Sequence, residues 1–271
     1  MQEHHATVSD IPVRWLEWGG DGAPIVFIHG IPTSPLLWRY VVRQLETTQS
    51  LAWEMVGYGA SWDAGGDREI SVRAQASYLR AWLDHLELDN VILVGHDLGG
   101  GVAQIAAVEN SHRFAGMVLI NSISYNSWPI QSVNAMRRIG GLLERTPPSL
   151  FRGVFSSFLR RGHDDQRIAA DSINTHWRHY DHRHGPKAFR RQIDSLNTQD
   201  TMSVAARLRG LDLPAEIVWG EADRFQKASY AERLANDLRG GLDLIKGGKH
   251  FVPEDHPDRV AEAIRRLMKS A

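Results

Sequence analysis

The sequence contains no cysteine among its 271 residues, which excludes disulfide bonds and thiolate chemistry and leaves the redox compartment undetermined. It also has no apolar run that approaches the roughly 20 residues of a membrane-spanning helix. The first six residues lack the basic and apolar regions of a signal peptide. These absences predict a cytoplasmic protein without a membrane partner.

Positive and negative charges are also nearly equal in number. The chain carries 31 lysines and arginines against 32 aspartates and glutamates, which gives a formal net charge of −1. We therefore expect no nucleic-acid partner and no binding to acidic membranes. The arginine pairs at 137–138, 160–161 and 190–191 are most simply solvated faces. The chain length suits one domain with an insertion, as a monomer or a homodimer.

What the sequence does contain is an alternation of apolar strands with amphipathic helices. Apolar runs at residues 25–29, 91–94, 117–120 and 215–220 predict strands. Ser71 caps a predicted helix in which apolar residues recur every three or four positions. Because strands alternate with helices, the sequence predicts an α/β fold with a mainly parallel sheet that helices cover on both faces.

This alternation stops between residues 125 and 203. Prolines interrupt short helical patterns there, and the segment is rich in arginine and phenylalanine. We interpret the segment as a helical cap that is inserted over the carboxyl ends of the strands. The predicted domains are an α/β core, residues 1–124 and 204–271, and the cap, residues 125–203.

The most informative motif follows the predicted strand at residues 91–94. Gly95 and Gly99 bracket Asp97, and an alanine-rich helical pattern comes next. Glycines at this spacing are typical of the sharp strand–turn–helix that exposes a serine nucleophile, but here the central residue is aspartate. The sequence therefore predicts that Asp97 is a carboxylate nucleophile.

An aspartate nucleophile narrows the chemistry. Attack on an ordinary ester would form an anhydride, which is no easier to make than the ester is to break. Attack on an sp3 carbon that carries a leaving group forms an alkyl ester, and carboxylates are known to act in this covalent way. Halides and strained epoxide oxygens are such leaving groups. We therefore expect a small apolar electrophile and water as substrates.

The remaining catalytic residues are sought after later strands, because this elbow has the chain order nucleophile, acid, histidine. Asp223 follows the predicted strand at residues 215–220, and His250 follows a later strand-like run. His250 would activate water, and Asp223 would orient its ring. The backbone N–H groups of Ile31 and Leu98 would stabilise the oxyanion.

Together these motifs resemble those of the α/β-hydrolase superfamily, in its group of epoxide hydrolases and haloalkane dehalogenases with an aspartate nucleophile. The matching segments cover residues 13–122 and run from residue 213 to the C-terminus. They include a His-Gly-x-Pro segment at residues 29–32, the aspartate elbow, and the later acid and histidine. The resemblance implies a cofactor-free hydrolase with a covalent alkyl-enzyme ester on Asp97.

Dehalogenation is one of two reactions open within this group. The dehalogenase pattern has asparagine after His-Gly and tryptophan after the nucleophile, and both hold the departing halide. This sequence has Ile31 and Leu98 at those positions, whose side chains donate no hydrogen bond. Halide release would then need other donors, for which Trp128 and Trp177 are the candidates.

Epoxide opening is the other reaction. Epoxide hydrolases of the group hydrogen-bond the epoxide oxygen with two tyrosines, or a histidine and a tyrosine, from the cap. Tyr125 and Tyr180 are the candidates here, although neither stands at the spacing of the family. Because the halide ligands are missing, we favour epoxide opening over dehalogenation by a small margin. Fluoroacetate-type dehalogenases usually carry arginine where Leu98 stands, so a carboxylate substrate is less expected.

Two further classes stay open. One is a binding or scaffold protein whose elbow does not turn over, since fold does not determine function. The other is a lyase in which Asp97 acts as a base and forms no ester. His176 and His179 would share a helix face, but no third ligand stands at a recognised spacing, so no metal site is predicted.

Overall fold

A computed structural model describes residues 1–20, 22–45, 48–64, 66 and 68–270 of the chain. Within these residues one sheet contains β1 (Gln2–Val8), β2 (Ile11–Trp18), β3 (Ile25–Ile28), β4 (Ser50–Trp53), β5 (Val91–His96), β6 (Phe114–Ile120), β7 (Ala215–Gly220) and β8 (Gly241–Ile245). Its strand order is β1-β2-β4-β3-β5-β6-β7-β8. The β1–β2 and β2–β4 pairs are antiparallel, and the pairs from β4 to β8 are parallel.

Helices connect these strands and cover them. The described α-helices are α1 (Val72–His85), α2 (Leu98–Glu109), α3 (Gln131–Arg138), α4 (Gly140–Glu144), α5 (Pro148–Gly162), α6 (Gln166–Trp177), α7 (Gly185–Asp194), α8 (Gln199–Ala205), α9 (Ala228–Leu238), α10 (Val252–Asp255) and α11 (Pro257–Ser270). Short 3₁₀ turns lie at Pro35–Trp38, Val42–Gln44, Gly59–Ser61, Ser111–Arg113 and Leu208–Gly210. None of the described helices has both the length and the apolar character needed to cross a membrane.

The central strands are apolar on both faces because helices cover the sheet on both sides. Every residue of β3 is buried, as is every residue of β5, and such continuous burial is expected of a covered parallel sheet. The predicted helix cap is also present: the Ser71 hydroxyl accepts a hydrogen bond of 3.2 Å from the Ala74 N–H. The predicted α/β fold with a mainly parallel sheet is confirmed.

The apolar patterns did not predict β1 or β4, and β1 shows why a strand can escape them. Its sequence is polar, and only Val8 among its residues is buried. It occupies the edge of the sheet and pairs with β2 along its whole length. Backbone pairing needs no apolar side chain, and most side chains of β1 are exposed, so its sequence shows little apolar periodicity.

Six helices, α3 to α8, lie between β6 and β7 in the chain. This insertion begins after β6, the neighbour of the strand β5 that leads to Asp97. The division into a core, residues 1–124 and 204–271, and a cap, residues 125–203, is retained as a proposal. The positions 21, 46–47, 65, 67 and 271 of the core ranges lie outside the described residues.

Candidate active site

Three predicted catalytic side chains meet above the carboxyl ends of the parallel strands. His250 Nδ1 lies 2.9 Å from Asp223 Oδ2, and His250 Nε2 lies 3.7 Å from Asp97 Oδ2. Asp97 directly follows β5, Asp223 comes three residues after β7, and His250 comes five residues after β8. All three residues are buried. The imidazole thus stands between the two carboxylates, in the order that an acid, a base and a nucleophile require.

A strained turn presents Asp97 at the top of the sheet. Its φ of 52° and ψ of −117° are unusual for a residue with a side chain, and α2 begins at the next residue. Such strain costs of order 1–3 kcal/mol and is typical of functional sites. A Cβ on Gly99 would lie 2.1 Å from the carbonyl oxygen of Ile28, and one on Gly95 would lie 2.5 Å from that of Gly99. Glycine is therefore required at Gly99 for the elbow to pack against the end of β3, and at Gly95 for β5 to pack against the first turn of α2.

Two backbone N–H groups donate hydrogen bonds to the Asp97 carboxylate. The Ile31 N–H donates a hydrogen bond of 3.1 Å to Asp97 Oδ1. The Leu98 N–H also donates to this carboxylate. Oδ1 is therefore anchored, while Oδ2 is the oxygen beside His250. If Oδ1 became an ester carbonyl, the Ile31 N–H would already face the position of the oxyanion.

Burial and neighbouring charges set the protonation of the pair. Burial raises the pKa of the Asp97 carboxyl, whereas the His250 charge and the N–H groups of Leu98 and Ile31 oppose this shift. Burial alone would lower the pKa of His250, but the Asp223 and Asp97 carboxylates outweigh it and raise that pKa above its usual value. The imidazole is therefore a stronger base than a free histidine.

Asn121 also belongs to the site, although the sequence analysis did not identify it. Its Nδ2 donates a hydrogen bond of 2.7 Å to Asp223 Oδ2, and its Oδ1 accepts one of 3.3 Å from the Gly220 N–H. The Phe225 N–H donates to Asp223 Oδ1 at 2.7 Å. Asn121 directly follows β6, the neighbour of β7, and has a φ of 41°. Its position at a strand end and the tolerance of asparagine for positive φ are the available sequence signals.

The space beside Asp97 and His250 is small. Its volume is about 30 Å³, and one water needs about 10–15 Å³, so only one or two waters fit. None of the described lining residues carries a hydroxyl group; besides Asp97 and His250 they are Ile31, Leu98, Ile123, Trp128, Pro129, Ile130, Val133, Phe158, Leu196, Phe225 and Gln226. A substrate must therefore displace part of this apolar wall.

Comparison with known proteins assigns the chain to a family. Residues 25–263 match the alpha/beta hydrolase family. The chain belongs to this family. Haloalkane dehalogenase 2 of Mycobacterium tuberculosis is 28% identical over 258 residues, which cover 90% of this chain and 87% of that protein. A haloalkane dehalogenase of Agrobacterium fabrum is 39% identical over 108 residues, 40% of this chain and 35% of that protein.

A solved structure has the same fold as this α/β-hydrolase. An alpha/beta hydrolase fold protein from Burkholderia ambifaria has a TM-score of 0.86 and 22% sequence identity, over 96% of each chain. The predicted membership of the superfamily is confirmed, and the protein is a hydrolase. The resemblance to the dehalogenase group agrees with the curated relatives.

Trp128 and Tyr125 are two of the four predicted substrate-contacting residues of the hydrolase, and only Trp128 lies at the cavity. Trp128 lines the small cavity, but its indole N–H donates a hydrogen bond of 2.7 Å to Thr201 Oγ1. Tyr125 is not among the residues that line the cavity. Its hydroxyl donates to Asp237 Oδ2 at 2.9 Å, at α9. The tyrosine therefore fastens α9 to the loop after β6.

The other two candidates lie within the helical insertion. The Tyr180 hydroxyl donates a hydrogen bond of 2.8 Å to Gln192 Oε1. Trp177 packs against Phe151 and Phe155, with ring centroids 5.7 and 5.4 Å away. Neither Tyr180 nor Trp177 lines the cavity at Asp97. Of the four candidates, the structure thus brings only Trp128 to the cavity at Asp97.

Gln226 is a second residue that the sequence analysis missed. It lies three residues after Asp223, lines the small cavity and is only 2% exposed. No hydrogen bond to a described residue uses its side-chain amide, and its Oε1 is buried without a partner. The Trp219 indole N–H fixes its backbone carbonyl at 2.9 Å. A buried amide without a partner beside a nucleophile is available to a ligand.

The insertion also supports the histidine loop. Gly162, the last residue of α5, accepts hydrogen bonds from the N–H groups of His250 at 2.8 Å and Phe251 at 3.1 Å. Lys249 Nζ donates to the carbonyl oxygen of His163 at 2.7 Å. A change in the position of α5 would therefore move His250.

Buried polar groups join the same loop to α6. Glu254 accepts a hydrogen bond of 2.7 Å from Ser172 and a short one from Arg39. Burial would raise the pKa of Glu254, but hydrogen bonding to His176 and the charge of Arg39 hold it well below its usual range. His176 is thus part of a buried polar network, which Ser34 joins at 3.1 Å from its Nδ1, and the described residues contain no group of three potential metal ligands.

Proposed function

We propose that the hydrolase cleaves alkyl halides through a covalent ester on Asp97. The observation that carries this proposal is the asymmetric environment of the Asp97 carboxylate. Oδ1 accepts the Ile31 N–H at 3.1 Å, while Oδ2 lies 3.7 Å from the imidazole of His250. One oxygen is thus anchored and the other is free to attack.

The first step is a displacement at carbon. Asp97 Oδ2 attacks the sp3 carbon, the carbon–halogen bond breaks, and the halide departs with the bonding electron pair. The product is an alkyl ester whose carbonyl oxygen is Oδ1. No proton moves in this step, because Asp97 attacks in its ionised form and the halide leaves as a stable anion.

The second step is hydrolysis of that ester. His250 takes a proton from water, which attacks the ester carbonyl carbon, and the N–H groups of Ile31 and Leu98 stabilise the oxyanion. Collapse of the intermediate releases the alcohol, which takes the proton from the imidazolium that Asp223 stabilises. The overall reaction consumes an alkyl halide and water and yields an alcohol, a halide and a proton.

Ester formation itself prepares His250 for its role. The charges of Asp223 and Asp97 both raise the pKa of His250 in the free enzyme. The ester removes the charge of Asp97, so the pKa of the imidazole falls once the intermediate has formed. At the hydrolysis step, in which His250 must accept a proton, the imidazole therefore stays neutral down to a lower pH than in the free enzyme.

The cavity lining favours a halide over an epoxide. Epoxide opening produces an alkoxide, which needs a proton donor, and none of the described lining residues carries a hydroxyl group. The hydroxyls of Tyr125 and Tyr180 bond elsewhere. A halide needs only a hydrogen bond, which Gln226 can donate from Nε2, an atom that bonds no described residue. The curated relatives named above are haloalkane dehalogenases, which supports the same choice.

Residues 125–203 act as the cap in this proposal. The cavity of about 30 Å³ is too small for a substrate. Phe158 of α5 stacks on Phe225 of the core, with ring centroids 4.5 Å apart, and both rings line the cavity. Separation of these two rings would admit a substrate to Asp97.

The test is to trap the ester in a His250→Gln variant. The variant is incubated with bromobutane or with epoxybutane, which have the same carbon skeleton, and the intact protein mass and its peptides are measured. We expect a butyl group on Asp97 from bromobutane, which adds the mass of the haloalkane minus hydrogen bromide. An His250→Gln/Asp97→Asn double variant is the control and should stay unmodified.

Other results would contradict parts of the proposal. An adduct of the whole epoxide mass, with none from bromobutane, would replace the halide by an epoxide and keep the mechanism. No adduct from either compound would favour a lyase or a scaffold protein. Steady-state turnover by Asp97→Ala, free of contaminating enzyme, would refute the assignment of the nucleophile.

A further inference from the structure

An outer groove adjoins the small cavity at Asp97. Its volume is about 620 Å³. Pro129, Ile130 and Phe225 line both spaces, so the groove and the cavity share a wall. Because the inner cavity holds no more than one or two waters, a substrate must extend outward through this wall. The groove is the larger of the two spaces and can hold the part of the substrate that does not react.

The groove carries cations without anions. Arg161 of α5 and Arg224 and Lys227 of the loop after β7 line it, and no carboxylate does. Among the described residues, none of these three side chains makes a hydrogen bond or an ion pair. By contrast, the half-buried Arg113 bonds two aspartates. A cleft lined by charges of one sign concentrates ligands of the opposite sign.

Aromatic contacts connect these cations to the catalytic histidine. The Arg161 guanidinium lies 4.9 Å from the centroid of the Phe225 ring. That ring stacks on Phe158 at 4.5 Å and meets the imidazole of His250 edge-on at 5.0 Å. A ligand that pairs with Arg161 thus lies above the two rings that close the cavity. Arg160, the neighbour of Arg161 in the sequence, is exposed and does not line the groove.

We propose that the substrate carries an anionic group, such as a carboxylate, at the end remote from its halogen. Arg161, Arg224 and Lys227 bind this group, while the halogen-bearing carbon enters the apolar cavity at Asp97. The inference rests on the proposed function and specifies its substrate. Leu98, beside the nucleophile, is apolar, so the anion lies away from the reacting carbon and not next to it as in a haloacetate.

The test compares two substrates of equal chain length, one with an anionic and one with a neutral polar end. The values of kcat/KM are measured for ω-bromohexanoate and for the neutral ω-bromohexanol, and their ratio is the readout. We expect each of Arg161→Gln, Arg224→Gln and Lys227→Gln to lower the ratio about two- to fivefold, the range of a single exposed ion pair. The triple variant should lower it about tenfold or more. Arg160→Gln removes the same charge outside the groove and should leave the ratio unchanged.

The results separate this inference from the proposed function. A triple variant whose ratio equals that of Arg160→Gln would overturn the inference, even if both bromides are hydrolysed. If neither bromide is hydrolysed, the proposed function fails, and calorimetry with unreactive hexanoate and hexanol judges the groove alone. Weaker binding of hexanoate, but not of hexanol, by the triple variant supports the inference. Equal binding of hexanoate by both proteins overturns it.

Discussion

Replacement of Gln226 by methionine should slow halide departure and stabilise the folded protein. Gln226 is 2% exposed and lines the cavity at Asp97, and its Oε1 has no hydrogen-bond partner. Methionine has a similar length but no amide. If the Gln226 side chain served the stability of the fold instead, its replacement would lower the free energy of unfolding, because removal of a well-bonded group destabilises a protein.

The magnitudes follow from the cost and the strength of hydrogen bonds. A buried polar group without a partner costs about 1–3 kcal/mol, so Gln226→Met should raise the free energy of unfolding by about 1 kcal/mol. For a domain of this size that corresponds to a rise of about 2 °C in Tm. A hydrogen bond to a charged group contributes about 1.5–3 kcal/mol, so loss of the donor should slow alkylation about 10- to 100-fold.

The assay measures alkylation by itself. In the His250→Gln background the ester accumulates, and quenched samples analysed by mass spectrometry give its rate of formation. Chloride, bromide and iodide leaving groups are compared, and chloride should be affected most because the smaller anion accepts a stronger hydrogen bond. Gln44→Met, at an exposed position, is the control. Equal rates in Gln226→Met and in the control for all three halides would refute the donor role of Gln226.

Three further predictions concern the site. The kcat should fall with decreasing pH, because protonated His250 cannot accept a proton from water. The midpoint of this fall should lie below the pKa of His250 in the free enzyme, which NMR measures. If the midpoint and that pKa were equal, the proposed effect of the ester would be contradicted. Asn121→Ala should reduce kcat about 10-fold or more, because the charged acid loses a hydrogen bond of 2.7 Å; unchanged kcat would show that the asparagine is dispensable. Gly99→Ala should abolish turnover and lower the Tm, because its Cβ would lie 2.1 Å from a carbonyl oxygen. Gly141→Ala, which has open space around it, is the control and should do neither. A stable, active Gly99→Ala protein would contradict the packing argument.

Local patterns were sufficient for the central strands. Residues 25–28 and 91–94 are apolar without a break, and they form buried strands because helices cover both faces of the sheet. The elbow was equally readable, since its two glycines and Asp97 lie within five residues. The edge strand β1 was not, because its polar residues are held by backbone pairing with β2, which leaves no apolar period.

Side-chain directions needed the tertiary structure. Tyr125 follows β6 closely and could point to the nucleophile or away from it; its hydroxyl bonds Asp237 because α9 packs against that loop. Asn121 reaches Asp223 because β6 and β7 are neighbours in the sheet. The two residues are about 100 positions apart in the sequence, so the sequence alone does not show that they meet. Such contacts depend on how elements pack and not on the residues beside them.

The sequence by itself determined the alternating architecture, the elbow and the chain order of Asp97, Asp223 and His250, because each depends on the residues within one strand and its following loop. The tertiary structure alone decided the size of the cavity, the free amide of Gln226 and the separation of Arg160 from Arg161. Consecutive residues of an α-helix point about 100° apart, so the helix orientation places one arginine in the groove and leaves its neighbour in solvent.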